Sequence, residues 1–548
     1  MNVAELVGRT VAQLGAGHAF GVVGSGNFHV TNALRANGVP FVATRHEGGA
    51  ATMADAYSRM SGRVAVVSTH QGCGLTNALT GIGEAAKSRT PVLVLAADTA
   101  AAAVRSNFRI DQDGAERAVG AVAERVHSAQ TAVADTVRAF TTAVRERRTV
   151  VLNLPLDVQA QPAPEPRAVQ PPHPAGAVRP AHAAVTALAD AIGAAERPVF
   201  VAGRGARAAG PELRALAEQA GALVATSAVA NGLFHGDPWA LGISGGFASP
   251  LAAALIADAD LVVGWGCALN MWTMRHGRLI GPDATVVQVD IEQSALGADR
   301  PIDLGVLGDV GQTARDVHDE LTSRGRARTG YRGDDVRARI AAEVGWRDVP
   351  YPDISTDDRI DPRTLSARLD EILPAERVLA VDSGNFMGYP SAYLSVPDEF
   401  GFCFTQAFQS IGLGLATAVG AALARPDRLP VAALGDGGFL MSVAELDTVV
   451  RLGLPLLVVV YNDSAYGAEV HHFTESSAAE LDSVRFPETD LAAIGRGFGA
   501  QGVTVRSVAD LAEVRDWVAG PRDRPLVVDA KVASDGGAWW LAEAFRGH

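Results

Sequence analysis

Short apolar runs rich in β-branched residues recur along the chain: "RVAVVST", "PVLVLAAD", "RPVFVAGRG", "ADLVVGWG", "ATVVQVD", "LPVAALGDGG", "LPLLVVVYND" and "RPLVVDAKV". Between them lie helix-length amphipathic segments. A continuous apolar run suits a strand covered on both faces, as in a parallel sheet. Strands alternating with such helices predict an α/β chain with mostly parallel sheets flanked by helices. Two stretches break the rhythm. "VQAQPAPEPRAVQPPHPAGAVRPAH" is crowded with proline, which removes backbone donors and disfavours helix. "TSRGRARTG" and "DVPYPDISTDD" flank a short helical segment and make a second break. The pattern therefore predicts three α/β domains, at 1–160, 183–325 and 359–548, joined by linkers at 161–182 and 326–358.

The 548 residues are too many for one ordinary core and agree with three domains. A formal net charge of −14 argues against a generic nucleic-acid or anionic-membrane binder, because both require a positive footprint. It leaves room for an anionic cofactor at a local site. Cys73, Cys267 and Cys403 are scattered and form no CxxC pair, which suits a reducing cytoplasm and no zinc cluster. "MNVAELVGRTVAQLGAGHAFGVVG" reads as an amphipathic helix and a strand, not a signal peptide. No apolar run is long enough to span a bilayer. The expectation is a soluble cytoplasmic protein.

Candidate chemistry centres on "AALGDGGFLMS" (432–442). An apolar strand ends on Asp436, held between Gly435, Gly437 and Gly438, and a helix pattern follows. The next strand ends in "NDSAYG", which carries Asn462 and Asp463. One βαβ unit brings both strand ends to the same sheet edge, so Asp436 and Asp463 can approach. Two close carboxylates repel unless a cation lies between them, and hard oxygen ligands favour Mg²⁺ or Ca²⁺. The glycines leave room for a diphosphate against the helix N-terminus. The same residues also fit a helix-capping Asp followed by an ordinary turn.

GDG followed some two dozen residues later by Asn-Asp resembles the diphosphate-anchoring motif of thiamine diphosphate enzymes. The resemblance implies metal ligation by Asp436, Asp463 and the carbonyl of Ala465, with Tyr466 and Gly467 binding the cofactor and Asn462 orienting the loop. This chain has Asp at 463 where Asn is usual. "PFVATRHEGGAATMADAY" supplies Glu47 at a helix start, similar to the family's activating glutamate, which holds a proton on the cofactor's aminopyrimidine. "FQSIGLGLATAVGAAL" supplies Ile411 as the apolar wedge that bends the cofactor, with backbone at Gln409 and Ile411 bonding the pyrimidine. "DSGNF" would bring Ser383, Gly384 and Asn385 to the diphosphate. Over its whole length the chain resembles the thiamine diphosphate-dependent decarboxylase and acetolactate synthase superfamily, including benzoylformate decarboxylase and benzaldehyde lyase. That implies two thiamine-binding domains around a Rossmann-like middle domain. It also implies a homodimer or homotetramer in which Glu47 serves cofactor held by a neighbouring chain.

"VVGSGNFH" and "VVSTHQGCG" place Ser25, His70 and Gln71 after strands, resembling the polar substrate pair of benzoylformate decarboxylase. Glu469, in "AYGAEVHHF", matches a catalytic Glu of pyruvate-decarboxylase-type enzymes. The adjacent His471 and His472 point about 100° apart on a helix, so at most one faces a given site. There are departures. "VRSNFRIDQD" lacks the His-His pair of pyruvate decarboxylases, "CALNMWTMRHG" offers Met271 and Trp272 as a bulky wall and only His276 as an imidazole, and the flavin-contacting Arg-Phe-Asp of acetolactate synthases is missing. The resemblance implies decarboxylation of a 2-oxo acid through a carbanion–enamine, with thiamine diphosphate and Mg²⁺; FAD is not expected. A carboligase or acyloin lyase is the alternative. "PVFVAGRGARAAG" holds GxGxxA, but no acid ends the next strand "GALVATS", which weighs against an NAD or FAD oxidoreductase. A non-catalytic homologue should have lost Glu47 or Asp436. Trp539 and Trp540, in the tail, are placed to fold over the entrance.

Overall fold

The computed structural model describes residues 1–165, 168–173, 176–325, 330–534 and 536–541. Parts of both expected linkers (166–167, 174–175 and 326–329) and most of the tail (542–548) lie outside the described residues.

The apolar runs form three six-stranded sheets in which every pairing is parallel. The first holds β1 (Ala19–Gly21), β2 (Phe41–Ala43), β3 (Ala65–Thr69), β4 (Val92–Asp98), β5 (Val122–Arg125) and β6 (Val150–Pro155), in the order β2-β1-β3-β4-β6-β5. The second holds β7 (Pro198–Ala202), β8 (Leu223–Thr226), β9 (Ala240–Ile243), β10 (Leu261–Trp265), β11 (Thr285–Asp290) and β12 (Leu304–Leu307), in the order β12-β11-β10-β7-β8-β9. The third holds β13 (Arg377–Val381), β14 (Phe402–Phe404), β15 (Leu429–Gly435), β16 (Leu457–Asn462), β17 (Gln501–Val505) and β18 (Leu526–Lys531), in the order β14-β13-β15-β16-β18-β17. Counted from its own first strand, the third sheet repeats the order of the first. The central strands are buried on both faces, which explains their unbroken apolar character.

Five helices carry the argument that follows: α1 (Glu47–Ser61), α2 (Cys73–Lys87), α3 (Gly414–Ala424), α4 (Asp436–Ser442) and α5 (Gly467–His472). The first and third domains share a core, in which Ala50, Met53 and Ala54 of α1 pack with Leu415, Ala418 and Val419 of α3. Small residues permit this approach. A Cβ at Gly420 would lie 2.2 Å from the Met53 carbonyl oxygen. Within the second expected linker, Tyr331, Val336 and Ile340 pack into the core of the middle domain.

In each repeated sheet the chain moves first to one side and then to the other, so a switch point lies between β1 and β3 and again between β13 and β15. Crevices beyond the carboxyl ends of strands at such points are where open α/β sheets bind ligands. Ser25 follows β1 and His70 follows β3; Ser383 follows β13 and Asp436 follows β15. Four of the residues singled out from sequence thus flank the two switch points.

Candidate active site

The pairing of Gly435 with Tyr461 brings Asp436 and Asp463, just beyond these strands, to the same edge. The two carboxyl groups are in hydrogen-bonding contact, and both are displaced upward. Burial raises Asp436 to about 6, and burial together with the charge of Asp436 raises Asp463 to about 8. Like charges in contact away from water must take up a proton or a cation. Among the described residues no group of three His, Cys, Asp or Glu side chains converges to hold an ion. A cation here would rely on the two carboxylates and the backbone oxygen of Ala465, which lines the same cavity. Asn462 turns inward instead. Its Nδ2 donates to Asp529 at 2.8 Å and its Oδ1 accepts the Ser464 N–H at 3.1 Å, which shapes the loop.

This cavity, of about 170 Å³, is lined by Ser383, Gly384, Asn385, Ile411, Gly435, Gly437, Gly438, Tyr466, Gly467, Glu469 and His471, among others. Gln409 does not line it, but stands at φ +58° in the loop that leads to Ile411. His472 faces elsewhere, as adjacent helix positions require. The glycines form a cradle that side chains would fill. A Cβ at Gly437 would meet the Tyr466 ring at 2.6 Å, and one at Gly467 would meet Asp463 Oδ2 at 2.2 Å. Two close carboxyl groups beside a glycine-lined helix start suit a divalent ion carrying a diphosphate.

Asp382, the residue before Ser383, was not singled out from sequence. It is wholly buried and raised by that burial to about 6. Its carboxylate accepts the N–H groups of Ser383 (2.9 Å), Gly412 (2.9 Å) and Leu413 (3.2 Å), tying the Ile411 turn to the end of β13.

A second group assembles at the first switch point. Ser25 Oγ lies 3.4 Å from His70 Nε2, and His70 Nδ1 lies 3.1 Å from the Gln71 carbonyl oxygen. A carbonyl only accepts, so Nδ1 carries the proton and Nε2 accepts from the serine hydroxyl. A Cβ at Gly74 would touch His70 Cβ at 3.1 Å and Glu47 Oε1 at 3.3 Å, so Glu47 and His70 meet across that glycine. Glu47 is buried, and its Oε2 accepts from Asn77 Nδ2 at 3.1 Å. Gln71 Oε1 is buried with no partner, aimed at Gly26.

The two groups do not meet within one chain. None of Ser25, Glu47, His70 and Gln71 lines the Asp436 cavity. Nor do Met271, Trp272 or His276; Trp272 packs near Phe247. The tail indoles do not hang over an opening. Trp540 is fully buried against Tyr389, and Trp539 stacks on Trp346 with centroids 3.9 Å apart.

Three family models match consecutive parts of the chain: the N-terminal TPP binding domain of thiamine pyrophosphate enzymes over residues 1–130, their central domain over 185–317, and their C-terminal TPP binding domain over 382–530. The chain belongs to the thiamine pyrophosphate enzymes. It is a thiamine diphosphate-dependent enzyme. A sulfoacetaldehyde acetyltransferase of Rhodobacter capsulatus is 29% identical, with 100% of this chain and 96% of that protein aligned. The "Probable 2-ketoarginine decarboxylase AruI" of Pseudomonas aeruginosa is 28% identical over 95% of this chain and 92% of its own length. An acetolactate synthase large subunit of Parasynechococcus marenigrum is 28% identical over 85% and 76%. Among the described residues no helix is long and apolar enough to cross a membrane.

Proposed function

We propose that this thiamine pyrophosphate enzyme is a Mg²⁺-dependent, non-oxidative decarboxylase of a 2-oxo acid. In this reading Asp436, Asp463 and the Ala465 carbonyl hold the metal. Gly437, Gly438, Ser383, Gly384 and Asn385 would hold the diphosphate, and Ile411 would be the apolar support for the cofactor. Bound thiamine diphosphate supplies a carbon nucleophile and an electron sink, chemistry that side chains lack. Glu47 would hold a proton on the aminopyrimidine ring. Ser25 orients the substrate carboxylate or carbonyl, and His70 takes and returns the proton that Ser25 shares with it.

The observation that favours decarboxylation is the placement of Glu469 and His471 in the cavity that holds the carboxylate pair. Decarboxylation would call for a proton to be delivered to the product, and Glu469, which lines this cavity, would be the residue to relay it. His471 is held below the ordinary histidine range by burial and by Arg485, so it stays neutral and suits a proton-accepting or positioning role. A second reading, transfer of the acyl group to another acceptor, draws support from relatives named acetyltransferase and acetolactate synthase.

The division of the site into two groups supports an assembly in which a second copy brings its Glu47, Ser25 and His70 to this chain's Asp436. Exposed apolar side chains border both groups: Phe108 beside His70, and Leu440, Met441 and Phe486 near Asp436. The test is incubation with thiamine diphosphate, Mg²⁺ and a panel of 2-oxo acids, with and without aldehyde or phosphate acceptors. Carbon dioxide with free aldehyde is expected. Release of carbon dioxide only when an acceptor is present supports acyl transfer instead, and no turnover of any 2-oxo acid contradicts the decarboxylase reading.

A further inference from the structure

We propose that Glu84, on α2 of the N-terminal domain, is the positioning residue for the C-terminal loop Ala407–Ile411, and so sets how tightly the same chain's cavity holds thiamine diphosphate. This rests on the assignment of that loop to the cofactor made above. Glu84 is fully buried. Its Oε1 accepts the Ala407 N–H at 3.1 Å and its Oε2 the Phe408 N–H at 2.7 Å, immediately before Gln409. Hydrogen bonds to a carboxylate are stronger than neutral ones. Two further contacts from α2 seat the loop. The Phe408 ring lies over Gly83, where a Cβ would be 3.0 Å away, and Lys87 Nζ stands 5.4 Å from the ring centroid.

Gln409 adopts φ +58°, a conformation that non-glycine residues hold only when their surroundings impose it. The imposition comes from both sides. Asp382 ties the far end at Gly412 and Leu413, and Glu84 ties the near end at Ala407 and Phe408. The segment is slung between two buried carboxylates, one from each domain.

Glu84 is itself held in place. Arg59 of α1 reaches Glu84 Oε1 at 2.8 Å and Asp55 at 2.6 Å, and donates to the Phe404 carbonyl at 2.9 Å. Asp55 shares the arginine with Glu84, and no hydrogen bond joins its side chain to the loop. That separates positioning from mere support of a buried cluster, since both carboxyl groups pair with Arg59 and, of the two, Glu84 grips the loop backbone. Glu47 begins α1 and does not line the cavity bordered by this loop; in the proposed assembly it serves the neighbouring copy. One helix pair therefore gives chemistry to one site and shape to the other.

The experiment is calorimetric titration of thiamine diphosphate with Mg²⁺ into the unliganded parent, Glu84→Gln and Asp55→Asn proteins, followed by steady-state kinetics against cofactor concentration. An amide offers one acceptor oxygen where two loop N–H groups need one each. Glu84→Gln should therefore weaken cofactor binding by about tenfold or more, with turnover at saturating cofactor largely kept. Asp55→Asn should stay within about twofold of the parent. Phe408→Ala, which removes the ring from Gly83 and leaves the ion cluster intact, should weaken binding in the same direction. If Glu84→Gln does not fold, that variant carries the test. Parent-like affinity in each folded loop variant overturns the role of Glu84 and leaves the cofactor assignment standing. Absence of binding by the parent overturns the cofactor assignment, and this inference with it.

Discussion

Glu445 Oε1 accepts the backbone N–H of His46 at 2.9 Å, one residue before Glu47. The same oxygen accepts the Arg45 N–H at 3.0 Å, and Oε2 accepts from Thr448 at 2.7 Å. The C-terminal domain thus fixes the turn from which Glu47 enters α1. Glu445→Ala leaves two N–H groups without their acceptor, a loss of about 1–3 kcal/mol. Denaturant unfolding should show that loss, and turnover should fall while cofactor affinity holds.

Glu47→Gln tests the activating proton. The amide keeps the side chain's size and its contact with Asn77 but cannot hold an acidic proton on the aminopyrimidine. Turnover should drop by about two orders of magnitude or more, while calorimetry records unchanged binding of thiamine diphosphate. Near-normal turnover would remove Glu47 from the chemistry.

At the metal site, Asp463→Asn restores the residue usual in the family and takes away a carboxylate that Asp436 repels. The unliganded protein should melt at a higher temperature than the parent at pH 8, because buried like-charge repulsion is relieved. Mg²⁺ and cofactor should still bind through Asp436, Ala465 and the side-chain amide oxygen that the substitution introduces. A lower melting temperature would show that the second carboxylate is not under strain.

Glu116 gives a pH dependence remote from the cavity. Burial raises its carboxyl to about 8 from an ordinary value of 4.5, and both oxygens accept from Asn153 Nδ2, at 2.9 and 3.1 Å. A carboxyl with a raised folded value is protonated in the folded chain while the unfolded chain has already ionised. Stability is therefore lost as pH rises from about 4.5 to about 8, and the loss then levels off. Glu116→Gln should remove this term. Relative to the parent, the variant should gain stability between pH 5 and pH 8 in denaturant titrations; a constant difference would contradict it.

Much of the fold was legible because the central strands are buried on both faces and so read as unbroken apolar runs. The Asp436–Asp463 pair was legible because a single βαβ unit sets both positions. Ser25 and His70 were found at strand ends, and their 3.4 Å approach follows from β1 and β3 being neighbours. Asp382, Glu84 and Glu445 escaped notice for a common reason. Glu84 and Glu445 act on backbone more than three hundred residues away in the chain, which leaves no local pattern. Asp382 acts on a turn about thirty residues on, again through N–H groups that any residue but proline provides. Trp540 was misread as a cover for the entrance because an apolar tail can seal a core as well as an opening.

Titration of thiamine diphosphate with Mg²⁺ into the parent chain and into Asp436→Ala, each freed of cofactor and metal beforehand, is the most direct measurement. The parent should bind one cofactor per chain, and only when the divalent ion is present. Asp436→Ala should fold and show no saturable binding. Equal affinity in the two proteins, or binding by the parent that chelation leaves untouched, would contradict the placement of the metal and diphosphate between Asp436 and Asp463.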